Sequence, residues 1–253
     1  PRSCRCPHRA DSPLPTPHAW AASPLPTPIP YVIVPGTPPD VVVDGPFLTP
    51  DPDPYVSPKK GVAVSSGNHC TAQPSCSDVD TLAASWIFNW GTRFPYDNCD
   101  ETETIGMVWG AWNFKNGCPR LDASSDWLLT FNEPELIGQA DITPQAGALL
   151  YRQVENCFPH HLLVSPAVVR ELHWLTTMRG EYEDLYGRPP RFDALGLHCY
   201  PLPGKNLVDT CLPLLEQMET WCREWDGCQG LIINEFGTST HVPGWRSQMD
   251  TLM

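Results

Sequence analysis

From Gly61 onward the chain alternates short apolar runs with longer amphipathic stretches. The runs are GVAV (Gly61 to Val64), ASWIFNW (Ala84 to Trp90) and IGMVWG (Ile105 to Gly110). WLLTFN (Trp127 to Asn132), HLLVSPAV (His161 to Val168), FDALGLHCY (Phe192 to Tyr200) and GLIINEFG (Gly230 to Gly237) follow. Most are continuous rather than alternating, which suits parallel strands covered on both faces. Between them lie helical patterns: GALLYRQVENCF, ELHWLTTMRGEYEDLYG and LVDTCLPLLEQMETWCREW. Thr143 followed by Pro144 is a start signal for the first of these, an N-cap and then proline at the first helical position.

Seven strands at a strand–helix repeat of under ~30 residues predict an α/β fold, a (β/α)8 TIM-type barrel rather than an open sheet. A doubly wound sheet usually carries a glycine-rich turn after its first strand, and SSGNHC in that place does not fit GxGxxG. No Walker-type phosphate loop is present. Met253 stands 18 residues after Glu235. An eighth strand and helix need roughly 30 residues. The barrel is therefore expected to be truncated before strand 8, leaving Gly61–Val64 and Leu231–Ile233 with unpaired edges.

Composition divides the chain in two. Of the 30 prolines, 17 fall in the first 60 residues, and SPLPTP occurs twice there. Such a segment favours extended conformations and builds no core. Residues 1–58 read as a disordered Pro-rich tail and residues 59–253 as the folded barrel domain. The chain opens at Pro1, without an initiator Met, as a processed start or a fragment would. The net charge of −13 repels phosphate, which argues against a nucleic-acid partner. No apolar run reaches the ~18 residues of a membrane span.

Eleven cysteines suggest disulfides and an exported, extracellular or cell-wall-associated protein. Cys70/Cys76, Cys99/Cys118 and Cys222/Cys228 are plausible short loops, although connectivity is not readable from sequence. The odd count leaves one thiol unpaired within the chain, and Cys199 on its apolar strand is the expected one. Cysteine and histidine spacings do not match a zinc site, so neither metal nor cofactor is expected. The expected state is a monomer.

The strand ends carry the chemistry. In this type of barrel the active site forms where strands end. The runs finish in Ser65 and Ser66, Asn89-Trp90, Trp109, Asn132-Glu133, Ser165, His198 and Tyr200, and Asn234-Glu235. Two carboxylates flanking a bond are what glycoside hydrolysis requires: one protonates the departing oxygen, the other attacks the anomeric carbon or activates water. Tryptophan and tyrosine rings offer flat faces to sugar C–H surfaces. Taken alone, Glu133 could equally be a carboxylate stabilised by a helix N-terminus. Glu135, further into the loop, is the better candidate for that role. Asn89 and Trp90 either shape a turn or line the cleft. His198 could be a satisfied core histidine, but its place near the strand end favours the mouth. There it could hydrogen-bond the nucleophile and keep it ionised.

The pieces ASWIFNWG, MVWG, LLTFNEPELIGQADITPQAGALLY, LVSPAV, FDALGLHCY and LIINEFG occur in the order found in glycoside hydrolase family 128, which the sequence resembles from about Gly61 to Gly237. The chain departs from that pattern at Cys199, where the family often has Trp. The resemblance implies endo-acting hydrolysis of β-1,3-glucan with retention of configuration. It implies Glu133 as acid/base, Glu235 as nucleophile and Asn132 as the residue that orients Glu133 or contacts a sugar hydroxyl. Asn89, Trp90, Trp109, His198 and Tyr200 complete the expected substrate-binding set. A retaining pair would hold its carboxyl groups about 5–5.5 Å apart. The alternative expectation is an inactive carbohydrate-binding or cell-wall protein on the same scaffold.

Overall fold

The computed structural model describes residues 57–64, 76–94, 102–201 and 205–237. The Pro-rich segment and the proposed Cys70/Cys76 pairing lie outside the described residues. Ser57–Ala63 forms β1, which starts just inside the stretch expected as tail. A short helix α1 (Cys76–Thr81) leads to β2 (Ala84–Phe88). β3 (Glu103–Thr104), β4 (Gly106–Val108) and a single 3-10 turn (Ala111–Phe114) follow. Then come β5 (Trp127–Asn132), α2 (Pro144–Cys157), β6 (Leu162–Ala167) and α3 (Leu172–Tyr186). β7 (Leu195–Cys199), α4 (Leu207–Glu224) and β8 (Leu231–Phe236) complete the described chain.

Every strand pairing is parallel and follows chain order: β1 with β2, β2 with β3, β4 with β5, β5 with β6, and β7 with β8. Isolated bridges Val164–Ala194 and Val168–Leu197 connect β6 to β7. The third apolar run is divided between two ladders. Glu103–Thr104 serves β2 and Gly106–Val108 serves β5, with the Ile105 amide bonded to Ile87 between them. β1 and β8 are the outer members of this order. Their backbones approach each other, but no ladder joins them among the described residues.

β6 and β7 are buried along their whole length and β5 along all but its first residue, as continuous apolar strands should be. Their outer faces pack on α2, α3 and α4 through Leu163, Tyr151, Leu175, Met178 and Met218. Gly196 permits the close approach of β7 to β6: a Cβ there would stand 2.8 Å from the Ser165 carbonyl oxygen. The helix signals act where the sequence puts them. Thr143 accepts the Ala146 amide in front of Pro144. Asn206 accepts the Asp209 amide at the start of α4, and Gly187 closes α3 in the left-handed region.

Three disulfides fall among the described residues. Cys222–Cys228 matches the expected pair. Cys118 bonds Cys157 rather than Cys99, because the end of α2 brings Cys157 beside the loop that follows the 3-10 turn. Cys199 is not a free thiol. It bonds Cys211, presented from the start of α4 directly above the end of β7.

Candidate active site

The site is built where β2, β5, β7 and β8 end. Glu133 follows the last residue of β5, and its amide donates to the carbonyl of Ala167, the last residue of β6, at 3.0 Å. Its backbone adopts φ 43°, and Trp90, just beyond β2, adopts φ 58°. Neither is glycine, so both sit in a costly conformation of the kind that clusters at functional sites. The loop after Glu133 is tied down from several directions. Asn132 Nδ2 donates to Gln139 at 3.0 Å. Glu135 Oε1 accepts the amides of Val169 and Arg170. Glu135 thus latches the loop to the end of β6 rather than facing the reaction.

His198 is fully buried on β7 and stands between the two candidate carboxylates. Nδ1 lies 3.0 Å from Glu133 Oε1, and Nε2 lies 3.5 Å from Glu235 Oε1. Asn234 Nδ2 meets Nε2 at 2.7 Å. With the Asn234 amide as donor, a neutral imidazole carries its proton on Nδ1 and gives it to Glu133. Glu235 is held by two neutral donors: the Trp90 indole on Oε1 and the Tyr200 hydroxyl on Oε2, the latter at 2.7 Å. Burial first, and then the hydrogen bond to Glu235, raise the Tyr200 phenol well above its ordinary range, so it remains a donor.

One donor atom from each of Glu133, His198 and Glu235 lies within 4.8 Å of the others. A cation could bind such a set, yet both imidazole nitrogens already face Glu133 and Asn234. The imidazole is hydrogen-bonded to Glu133 through Nδ1 and to Asn234 through Nε2, and Glu235 stands 3.5 Å from Nε2 without sharing a proton with it. Asn132 Oδ1 and Asn234 Oδ1 are buried and meet no partner among the described residues. A buried carbonyl oxygen without a donor is costly, and these two retain the capacity to accept a hydrogen bond.

Of the residues singled out from the sequence, Glu133, Glu235, His198, Tyr200 and Trp90 converge, while the Asn132 amide is turned to Gln139. Asn89 is committed to its own turn, its amide donating to the Arg93 carbonyl and its oxygen accepting the Gly91 amide. Trp109 packs against the cluster of Phe88, Met107 and Leu129, while its carbonyl receives the Asn132 amide. Sequence reasoning named Asn234 at its strand end without giving it a role, and gave none to Gln139. The repeat of Asn-Glu at two strand ends was the signal for Asn234. Gln139 has no local signal beyond its place in the GQADITPQ piece.

The solved structures to which the chain is similar include three glycoside hydrolase family 128 enzymes. One is a subgroup III curdlan-specific exo-β-1,3-glucanase from Blastomyces gilchristii, in complex with glucose. Identity is 20%, coverage 68% of this chain and 75% of that one, and the TM-score 0.55. A subgroup II endo-β-1,3-glucanase from Sorangium cellulosum matches at 24% identity, over 76% and 79% of the two chains, with a TM-score of 0.55. A subgroup I endo-β-1,3-glucanase from Amycolatopsis mediterranei, in complex with laminaritriose and laminaribiose, matches at 20% identity over 74% and 75%, with a TM-score of 0.52. No curated protein matches the chain. Among the described residues no helix is long and apolar enough to cross a membrane. Residues 61–253 match the family described as Glycosyl hydrolase catalytic core. With that match over most of its length, and with the fold of the family 128 enzymes, this chain belongs to the glycosyl hydrolase catalytic core family.

Proposed function

We propose that the protein is a retaining endo-β-1,3-glucanase, exported and monomeric, on a (β/α)8 barrel scaffold. The observation that carries the mechanism is the spacing of Glu133 and Glu235, whose nearest oxygens lie within 4.8 Å with His198 between them. That closeness suits a direct attack on the sugar and leaves little room for the water an inverting pair must hold. Glu235 accepts two hydrogen bonds from neutral donors, which fix its direction. It attacks the anomeric carbon. Glu133 Oε1 is occupied by His198, so Oε2 is the oxygen that gives its proton to the departing glycosidic oxygen. The C–O bond breaks and a glycosyl ester on Glu235 remains. Glu133, now a carboxylate, takes a proton from water; the hydroxide attacks the same carbon, and Glu235 leaves.

The substrate reading rests on the β-1,3-glucan specificity of the three neighbours, and the endo mode on two of them. Export fits the disulfides, which persist in oxidising surroundings. Incubation with curdlan and laminarin tests the proposal. We expect reducing ends to appear as a ladder of oligosaccharides, with the β-anomer formed first by NMR. Glucose alone would assign exo action, and an initial α-anomer would refute retention. Adsorption to insoluble glucan without any release would make the chain a binding protein.

A further inference from the structure

The surface opens into a concavity of about 330 Å³. Its walls are Thr92 and Arg93 from the turn after β2, Trp112 and Asn113 from the 3-10 turn, and Asn116 and Arg120 from the loop that follows. These segments leave β2 and β4 at the ends where the carboxylates stand. Consecutive Cα atoms are 3.8 Å apart, so the Cα of Thr92 is at most about 7.6 Å from that of Trp90. One turn therefore carries both the indole that holds Glu235 and a wall of the pocket.

The pocket has the chemistry of a sugar site without the chemistry of cleavage. Trp112 is 57% exposed. It and Tyr200 are the only aromatic rings among the large exposed apolar side chains of the described residues. An exposed indole face is the surface on which a sugar ring stacks. Arg93 and Arg120 bring guanidinium donors, and neither forms an ion pair with a described carboxylate. Asn113 spends its oxygen on the Gly110 amide, which leaves its NH2 group for another acceptor. No carboxylate lines the pocket. The walls are also fixed before any ligand arrives. Asn89 locks the turn through Arg93 and Gly91, and the Cys118–Cys157 bridge ties the far wall to α2. Preorganisation of this kind lowers the entropic cost of binding.

We infer that this pocket is an accessory subsite for a neutral glucose unit of the β-glucan chain, lying beyond the units that flank the scissile bond. Trp112 stacks on the ring, and Arg93, Arg120 and Asn113 donate to its hydroxyl oxygens. The inference rests on the glucan reading above and adds to it a preference for longer chains. Its test is calorimetric titration of laminarihexaose and laminaribiose into the Glu235→Gln protein, which binds without turnover. Trp112→Ala should weaken laminarihexaose about tenfold, or ~1.4 kcal/mol, and Arg120→Ala by roughly three- to fivefold. Laminaribiose, which can occupy the units flanking the scissile bond without entering the pocket, should change by less than about twofold. Trp112→Phe should restore much of the lost affinity, since a smaller ring still stacks. Unchanged laminarihexaose affinity in both Trp112→Ala and Arg120→Ala overturns the subsite and leaves the glucanase reading standing. Tighter binding of an oligouronate than of laminarihexaose, lost in Arg120→Ala, overturns the choice of a neutral sugar. Failure of the Glu235→Gln protein to bind laminarihexaose at all overturns both readings together.

Discussion

Two parts of the molecule bury carboxylates, and they treat them in opposite ways. Beneath α2 and α3, Glu155 is wholly inaccessible. It meets Arg188 and Arg152, accepts the Tyr182 hydroxyl at 2.5 Å and takes the Arg191 amide at 2.8 Å. Cations neutralise it, and both of its oxygens are used. At the strand ends, Glu133 and Glu235 meet an imidazole, an indole and a phenol. None of these donors carries a fixed charge, and two amide oxygens nearby are left without partners. The first arrangement is closed and can only hold the fold together. The second retains bonding capacity that a ligand could use. Burial of an acid does not by itself mark a candidate catalytic group; the kind of partner separates the two cases.

The sharpest way to break the contrast is to remove one acid from each place. Glu235→Ala should reduce turnover on laminarin by on the order of 10⁴-fold or more, equivalent to at least about 5.5 kcal/mol of barrier. Its thermal melting should change little. Added azide should restore some cleavage and give a product of inverted configuration, since the small anion can occupy the emptied space. Wild-type rates in this variant would end the assignment. Glu155→Ala should do the reverse, costing ~3–5 kcal/mol of stability because Arg152 and Arg188 lose their counter-charge. Urea unfolding measures this, and at temperatures below its melting point the variant should keep near-normal turnover.

Two smaller effects sharpen the comparison. Tyr200→Phe removes a neutral donor from Glu235, a bond of roughly 1.5–3 kcal/mol. We expect kcat to fall about ten- to hundredfold, with melting unchanged. A fall in stability without a fall in rate would place Tyr200 with the structural group. Alkaline titration probes Tyr182, whose phenol is raised by burial first and by Glu155 next. Above its ordinary value of 10.0 the unfolded chain loses this proton while the folded chain keeps it. Stability is therefore complete below that value and declines as pH rises above it. Denaturant midpoints measured on either side of pH 10.0 check the sign, and the decline should be smaller in Tyr182→Phe.

Much of this architecture was legible in the residues because burial on both faces of a strand demands an unbroken apolar run. β5, β6 and β7 answer that demand directly. The division of β3 from β4 was not legible, since it depends on which neighbour each residue pairs with. Cys199 looked like an isolated apolar thiol because its partner, 12 residues on, belongs to a helix whose start sets the distance. Asn132, Glu133 and Glu235 could be picked out because strand ends are fixed points of a parallel sheet. The turn built by Asn89, the latch formed by Glu135 and the cations around Glu155 depend on side chains that meet only after the helices have packed.

The Cys199–Cys211 bridge lies between His198 and Tyr200 in sequence, and so inside the span that serves both candidate carboxylates. Protein made in a reducing cytoplasm would have to hold that segment by packing alone. Two batches identical in mass, purity and helix content could then differ in rate purely through their oxidation history. For this chain, a thiol assay belongs beside every specific-activity value, and a loss of activity in any variant counts as catalytic only after that bridge has been shown to be formed.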